Sequence, residues 1–356
     1  MKHTQLKKII EKFQISSKFV MYKELVSGHI NQTYFMITNK KPYYVLQQIN
    51  HKVFKDVPRL IKNKVLVTNH LSKFSAYTSL TFVKTNNNNY YHLDTDGSYW
   101  NLMIYVEDSV TFNVVPNNEV AFESGKIFGD FLNATANFDA STLASTIPDF
   151  HNMKFRFHQF DEALALASEE RKELAKNEIE MIFTLKQEML ILQKLREEGK
   201  IKTRVTHNDT KISNALFTKK NKGLCVIDLD TVMPGIIHYD FGDAVRTICT
   251  TAKEDETDLE KIQFSLSYFE AFTKGFLLEL KESITPFEAS YLPLSAKTIT
   301  FIMGLRMLTD FLNNDVYYKI AYPQHNLDRA KNQLYLIQKM ELVFDKMKYI
   351  VSKYVD

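Results

Sequence analysis

Short apolar and polar runs alternate through the first hundred positions. Segment 20–26, Thr33 to Thr38, Tyr43 to Ile49, Ser79 to Lys84, Tyr90 to Leu93 and Trp100 to Glu107 are rich in aromatic and β-branched residues. Each is bounded by turn residues, so each predicts a strand. One helix is predicted among them, over 56–72, where Leu60, Val65 and Leu71 stand among basic and polar residues. The polar run Asn86 to Asn89 predicts a hairpin tip. After Glu107 the period lengthens. Residues 117–136 and 158–198 predict helices; in the second, Ile182, Leu185, Met189, Leu192 and Leu195 recur at three- and four-residue steps and Gly199 marks the stop. Residues 255–350 continue the helical character. The pattern predicts an α+β protein with a β-rich domain over 1–107, a linker near 105–112 and a larger helical domain over 108–356.

Composition narrows the class. Of 356 residues, 45% are hydrophobic and 24% charged, ordinary for a folded soluble chain and against disorder. A net charge of +3 gives no basic excess that calls for nucleic acid or an anionic membrane. No uncharged apolar run approaches the roughly 18 residues of a membrane span, and the N-terminus reads as an amphipathic helix rather than a signal peptide. Two cysteines, Cys225 and Cys249, make no disulfide framework and no zinc pattern, so a reducing, cytoplasmic setting is expected. Oligomeric state is left open.

Chemistry concentrates between Arg204 and Arg246. The run Thr206-His207-Asn208-Asp209-Thr210-Lys211-Ile212-Ser213-Asn214 precedes an apolar stretch, Leu224 to Ile227, that ends in Asp228-Leu229-Asp230. On a continuing strand Asp228 and Asp230 would share one face and repel, which calls for a cation; oxygen ligands without His or Cys favour Mg²⁺. Asp209 and Asn214 stand five apart, the spacing of the kinase catalytic loop, in which the Asp orients the attacking hydroxyl and the Asn ligates metal. His-x-Asp alone is weak; with Asn five residues on and a strand ending in Asp, it is specific.

These residues, together with Gly28-His29-Ile30-Asn31-Gln32-Thr33-Tyr34, Val45-Leu46-Gln47-Gln48-Ile49-Asn50, Asp240-Phe241-Gly242-Asp243 and His325-Asn326-Leu327-Asp328-Arg329, give the chain a resemblance to the aminoglycoside-phosphotransferase and choline-kinase superfamily, and within it to the N-acetylhexosamine 1-kinase group. The resemblance implies a bilobal, protein-kinase-like fold. It also implies ATP- and Mg²⁺-dependent phosphorylation of the anomeric hydroxyl of a free N-acetylhexosamine. On it, Asp209 is expected as catalytic base and Asn214 and Asp228 as metal ligands. His207 and Asp230 are expected to support them. Gly28 and Gln47 are expected near the nucleotide, and Tyr105 to Glu107 at the hinge whose backbone meets adenine. His29, Asn31, Arg306 and Tyr317 are expected at the sugar; an unbroken helix would align the last two, unless Asn313-Asn314 interrupts it.

Several positions depart from the kinase pattern. Asp240-Phe241-Gly242 spells the protein-kinase metal motif, yet Asp228 lies nearer to Asp209. Asp240 and Asp243 are therefore expected to be structural, capping a helix near Asp243, with Arg246 as a brace. The turn at Gly28 has one glycine rather than three. Gln47 stands where protein kinases place lysine, and the 56–72 helix offers Asp56 but no Glu to pair with it. The family tends to carry Arg after the tryptophan matching Trp100, and this chain has Asn101. A kinase for another alcohol (another hexose, an aminoglycoside, choline or homoserine), a nucleotide-binding pseudokinase and a metal-dependent hydrolase stand as rival readings.

Overall fold

The computed structural model describes residues 2–25, 30–74 and 78–355. Helix α1 (Lys2–Ile10) leads into a five-stranded antiparallel sheet of β1 (Phe19–Leu25), β2 (Gln32–Thr38), β3 (Tyr44–Ile49), β4 (His92–Leu93) and β5 (Tyr99–Ile104), in the order β1-β2-β3-β5-β4. Alternation sends Tyr34, Met36, Tyr44, Leu46, Trp100 and Leu102 to one face, which α1 covers with Leu6, Ile9 and Ile10. Helix α2 (Val57–Leu71) is packed through Val57, Leu60, Ile61 and Val65 against Ile49 and Phe54. Its start is fixed by Asp56, whose carboxylate accepts the Arg59 N–H, and by Pro58 in the first turn.

Three predicted strands are shorter in the fold, Tyr90 to Leu93 keeping only His92–Leu93. Segment 79–84 forms only the bridge Phe82–Met103, with Val83 N–H donating to Leu102 C=O and Ile104 N–H to Thr81 C=O, so it covers the edge of β5 without becoming a strand. The chain leaves β5 at Ile104, so 105–107 form a connector rather than a strand end.

The helical part begins with β6 (Ser109–Val110) and α3 (Asn118–Ala134). The helical stretch expected over 158–198 is divided among four helices: α4 (Met153–Leu166), α5 (Glu169–Leu174), α6 (Lys176–Met189) and α7 (Ile191–Glu197). Ser168 is the reason for the first break: its hydroxyl accepts the Arg171 N–H and restarts the helix. Strands β7 (Arg204–Thr206), β8 (Ala215–Thr218), β9 (Gly223–Val226) and β10 (Met233–Gly235) then form two small sheets, β10-β7 and β6-β8-β9. They hold the loops carrying Asp209 and Asp228. Helices α8 (Ile237–Ile248), α9 (Leu266–Leu280), α10 (Pro286–Ser290), α11 (Leu292–Leu312), α12 (His325–Glu341) and α13 (Phe344–Val355) complete the chain.

Close helix packing makes this base rigid. A Cβ on Gly125 of α3 would sit 2.1 Å from the Phe272 carbonyl oxygen, and one on Gly275 of α9 would sit 2.1 Å from that of Phe122. Only glycine lets these backbones approach so far. Phe241 of α8 packs on Phe269, Phe272 and Phe276 of α9, so α8 is seated on the same base. The fold is α+β and bilobal, a sheet beside a helical body. Asn63 of α2 ties the two together: its amide donates to Val232 C=O at 2.9 Å and to Ala144 C=O at 2.7 Å.

Candidate active site

The site is built on the loop between β7 and β8. Asn208 adopts a left-handed backbone (φ 64°) and its amide donates to Thr206 C=O and Thr231 C=O, which folds the loop back on itself. Asp240, in the first turn of α8, accepts the backbone N–H groups of His207 at 2.8 Å and Asn208 at 2.7 Å. Thr210 donates its hydroxyl to the Asp240 C=O. Burial pushes the Asp240 carboxyl up to about 6, against the pull of these donors. Asp240 is structural, as expected, but it braces the loop rather than capping a helix. The helix begins earlier, at Ile237, because apolar Ile237, Phe241 and Val245 already bury one face there. Asp243 pairs with Arg246 at 2.9 Å, and Arg246 with Glu254 at 2.7 Å.

His207 is fully buried between Phe128 and Phe131. Its Nε2 lies 2.8 Å from Ile227 C=O, a contact that requires Nε2–H as donor, and its Nδ1 then accepts the Asp209 N–H at 3.3 Å. It thus ties the Asp209 loop to the end of β9, next to Asp228.

Asp209, Asn214 and Asp228 are brought together. One Asp209 oxygen, Oδ2, accepts from Lys211 Nζ at 2.9 Å and Asn214 Nδ2 at 2.8 Å. Burial drives this carboxyl up, but Lys211, His207 and Asn214 outweigh it and hold it below the ordinary carboxylate range. Asp209 is therefore ionised at neutral pH, with Oδ1 left for a ligand hydroxyl. Asn214 commits its Nδ2 to Asp209 C=O as well, which leaves its amide oxygen for another partner. Lys211 is raised above the ordinary lysine value: burial opposes its charge, and Asp209 and Asp228 more than restore it.

Asp228, two residues past β9, adopts a left-handed conformation (φ 60°) and is followed by a 3-10 turn over Leu229–Thr231. The strand does not continue, so Asp228 and Asp230 do not share a strand face. They are still close enough to repel: burial, then Asp230 and Asp209, push the Asp228 carboxyl up to about 7. Crowded carboxylates with an amide oxygen nearby suit a hard cation. Among the described residues no group of three or more His, Cys, Asp and Glu is arranged to hold a metal. Two side-chain oxygens, from Asn214 and Asp228, fit an ion that brings most of its own ligands, as Mg²⁺ does with nucleotide phosphates.

Toward the other lobe, Asp230 pairs with buried Lys64 of α2 and accepts from Asn31 Nδ2. Asn31 Oδ1 accepts the Asn50 N–H at 2.9 Å, so both ends of the Asn31 amide are engaged by protein. Gln47 on β3 accepts from Lys64 Nζ at 3.2 Å. At the connector, Tyr105 N–H donates to Tyr43 C=O at 2.9 Å, and Glu107 pairs with Lys41 at 2.6 Å. Among the described residues the Tyr105 C=O and Glu107 N–H have no hydrogen-bond partner. Gly28 and His29 lie outside the described residues.

On the far side of Asp209 lies a second cluster. His151, Arg156 and Arg306 are close enough to influence one another, and Asp209 acts on His151 as well. His151 Nε2 sits 3.3 Å from Asn208 C=O and its Nδ1 has no partner among the described residues. Burial, with Arg306 and Arg156 nearby, pushes the imidazole down to about 3, so it is neutral. Burial and Arg306 likewise bring Arg156 down to about 10. The Arg306 guanidinium lies over the Phe150 and Tyr318 rings, at 5.4 and 5.7 Å. It does not pair with Asp310, which is buried and accepts the Tyr317 and Tyr318 N–H groups and the Asn326 amide. Helix α11 stops at Leu312, and Asn314 and Asp315 turn the chain with positive φ. Tyr317 is thus off the helix and 64% exposed, with its ring on Tyr318. The unbroken-helix alignment with Arg306 fails; the turn brings Tyr318 to Arg306 instead.

Residues 22–271 match the model of the phosphotransferase enzyme family, APH. The chain belongs to that family. Solved structures share its fold over nearly full length. An aminoglycoside phosphotransferase from Alicyclobacillus acidocaldarius is 13% identical with a TM-score of 0.64, covering 97% of this chain and 96% of its own. A choline kinase from Cryptosporidium parvum is 13% identical with a TM-score of 0.60, covering 99% of each. An amicoumacin kinase in complex with AMP-PNP, Ca²⁺ and Ami is 12% identical with a TM-score of 0.59, covering 96% of this chain and 93% of its own.

Sequence reasoning missed Lys64, Lys211, His151, Arg156 and Tyr318. Lys211 had a readable signal: it sits two residues past Asp209, where a cation restrains a buried carboxylate. Lys64 was signalled by default, because neither β3 lysine nor helix glutamate is present.

Proposed function

We propose that the protein transfers the γ-phosphoryl group of ATP, with Mg²⁺, to the anomeric hydroxyl of a free N-acetylhexosamine, GlcNAc or GalNAc. One observation carries the choice of acceptor class. Beside Asp209, Arg156 and Arg306 crowd one another, and among the described residues neither has a carboxylate partner. Asp149 acts on Arg156 only from beyond ion-pair distance, so the two guanidiniums disfavour a cationic aminoglycoside or choline. They donate well to hydroxyl and acetamide oxygens. The choice of an N-acetylhexosamine among neutral alcohols rests on the resemblance of the chain to that kinase group.

In this reading Asp209 Oδ1 accepts a hydrogen bond from the acceptor hydroxyl, aims its oxygen at the γ-phosphorus and takes the proton as the new P–O bond forms and the bond from the γ-phosphorus to the β,γ-bridging oxygen breaks, with ADP as the leaving group. A depressed carboxyl is a weak base, so orientation is its larger contribution. Lys211 and Asn214 fix the carboxylate by its other oxygen. Asn214 and Asp228 would hold Mg²⁺, which offsets charge developing on the phosphate oxygens. The amicoumacin kinase with AMP-PNP and Ca²⁺ supports a nucleotide and a divalent cation in this fold. The Tyr105 C=O and Glu107 N–H are the backbone groups available to adenine.

The test is ADP release with ATP, Mg²⁺ and a panel of free sugars, aminoglycosides and choline. GlcNAc or GalNAc should support turnover and the cationic acceptors should not. Turnover on an aminoglycoside or choline with none on any sugar would refute the reading. Nucleotide binding without turnover on any acceptor would favour the pseudokinase.

A further inference from the structure

Protein kinases carry a lysine on the third strand and a glutamate on the neighbouring helix, and the lysine meets the nucleotide phosphates. Here the strand carries Gln47 and the helix carries Lys64. Lys64 is only 2% exposed, and its ammonium reaches out of α2 to Gln47 Oε1 at 3.2 Å and to the Asp230 carboxylate. That places the charge at the end of the β3 side chain and two residues from Asp228. Asn63, next in sequence, anchors the helix to Val232 and Ala144, so the reach of Lys64 is fixed. Asn101, directly across from Gln47 on β5, is fully buried, and both of its amide atoms lack partners among the described residues. A buried polar cluster left incomplete in this way points to a missing ligand rather than to a finished brace.

We infer that Lys64, delivered by the helix rather than by the strand, is the phosphate-binding cation of this site, with the polyphosphate of a nucleoside di- or triphosphate as its ligand. The cation has moved from strand to helix, and on the strand the neutral Gln47 orients the ammonium by its amide oxygen. Asp230 holds the charge in the empty site. When phosphate takes the ammonium, Asn31 Nδ2 remains as a donor to Asp230. The inference rests on the nucleotide-binding reading given above.

The test is calorimetric titration of the full-length protein with ADP and with adenosine, in chelator, so that no metal contributes. Lys64→Gln should weaken ADP about tenfold, the size of a lost charge-assisted phosphate contact, and change adenosine by less than about twofold. Lys64→Arg should recover most of the ADP affinity. Asp230→Asn removes the competitor for the ammonium, and should tighten metal-free ADP severalfold. It serves also if Lys64→Gln does not fold. Equal losses for ADP and adenosine, or unchanged ADP affinity in Lys64→Gln, would reduce Lys64 to a brace between the lobes; so would weaker ADP binding in Asp230→Asn. If the unmodified protein binds no ADP in chelator but binds it with Mg²⁺, this inference alone falls; if it binds no ADP with Mg²⁺ either, the phosphotransferase reading falls with it.

Discussion

The loop around Asp209 and the cluster around Arg306 flank the same carboxylate, yet they are built in opposite ways. In the loop almost every polar atom has a partner: Asp240 takes two backbone N–H groups, His207 bridges Asp209 to Ile227, and Lys211 and Asn214 share one Asp209 oxygen. In the cluster the His151 Nδ1, the Arg156 Nε and the Tyr318 hydroxyl are buried without partners among the described residues. A fully bonded loop holds one geometry. An under-bonded pocket keeps donors and acceptors for a ligand that arrives. On the proposed function, the first suits the chemistry and the second suits recognition of the acceptor.

Substitutions should separate the two. Asp209→Asn should lower kcat about a thousandfold in steady-state assays while ATP affinity by calorimetry stays within about twofold. Near-normal turnover would remove Asp209 from the chemistry. Asp240→Asn keeps the shape but removes the charge that holds two backbone donors, and kcat should fall about a hundredfold as the loop drifts. An unchanged kcat would show that the loop holds itself. Arg306→Met should raise the acceptor KM about tenfold with kcat and ATP KM nearly unchanged. A fall in kcat alone would move Arg306 into the transition state and blur the contrast.

The smallest effect concerns a pair remote from both regions. Arg204 and Glu288 form a buried ion pair with Arg204 Nη2 at 3.0 Å from Glu288 Oε2. Burial alone would raise the Glu288 carboxyl, but Arg204 and backbone donors hold it down at about 2, against an ordinary value of 4.5. The folded value lies below the unfolded one, so this stabilisation is fully present above about pH 4.5 and is lost as pH falls toward 2. Denaturant midpoints measured across that window should fall more steeply for the unmodified protein than for Glu288→Gln. Parallel slopes would show that the pair is not coupled to folding.

The same contrast explains what could be read from sequence. The loop is local: Asp209, Asn214 and Asp228 lie within one stretch, so their convergence was legible. The α+β order was legible too, because strand and helix periods differ. The pocket is assembled from positions 150–156 and 306–318, and no periodicity links them. Tyr318 replaced Tyr317 at Arg306 because two consecutive left-handed residues, Asn314 and Asp315, turn the chain after α11. The burial of Lys64 depends on β3 and Asp230, far away in sequence, so only the missing β3 lysine and helix glutamate hinted at it.

The most direct measurement is the position of the new phosphate. The protein is incubated with ATP, Mg²⁺ and free GlcNAc or GalNAc, and the product is read by phosphorus and proton NMR. The account predicts an ester phosphorus coupled to the anomeric proton and loss of the reducing end. Phosphate on C6 or any other carbon, with the reducing end intact, would contradict it.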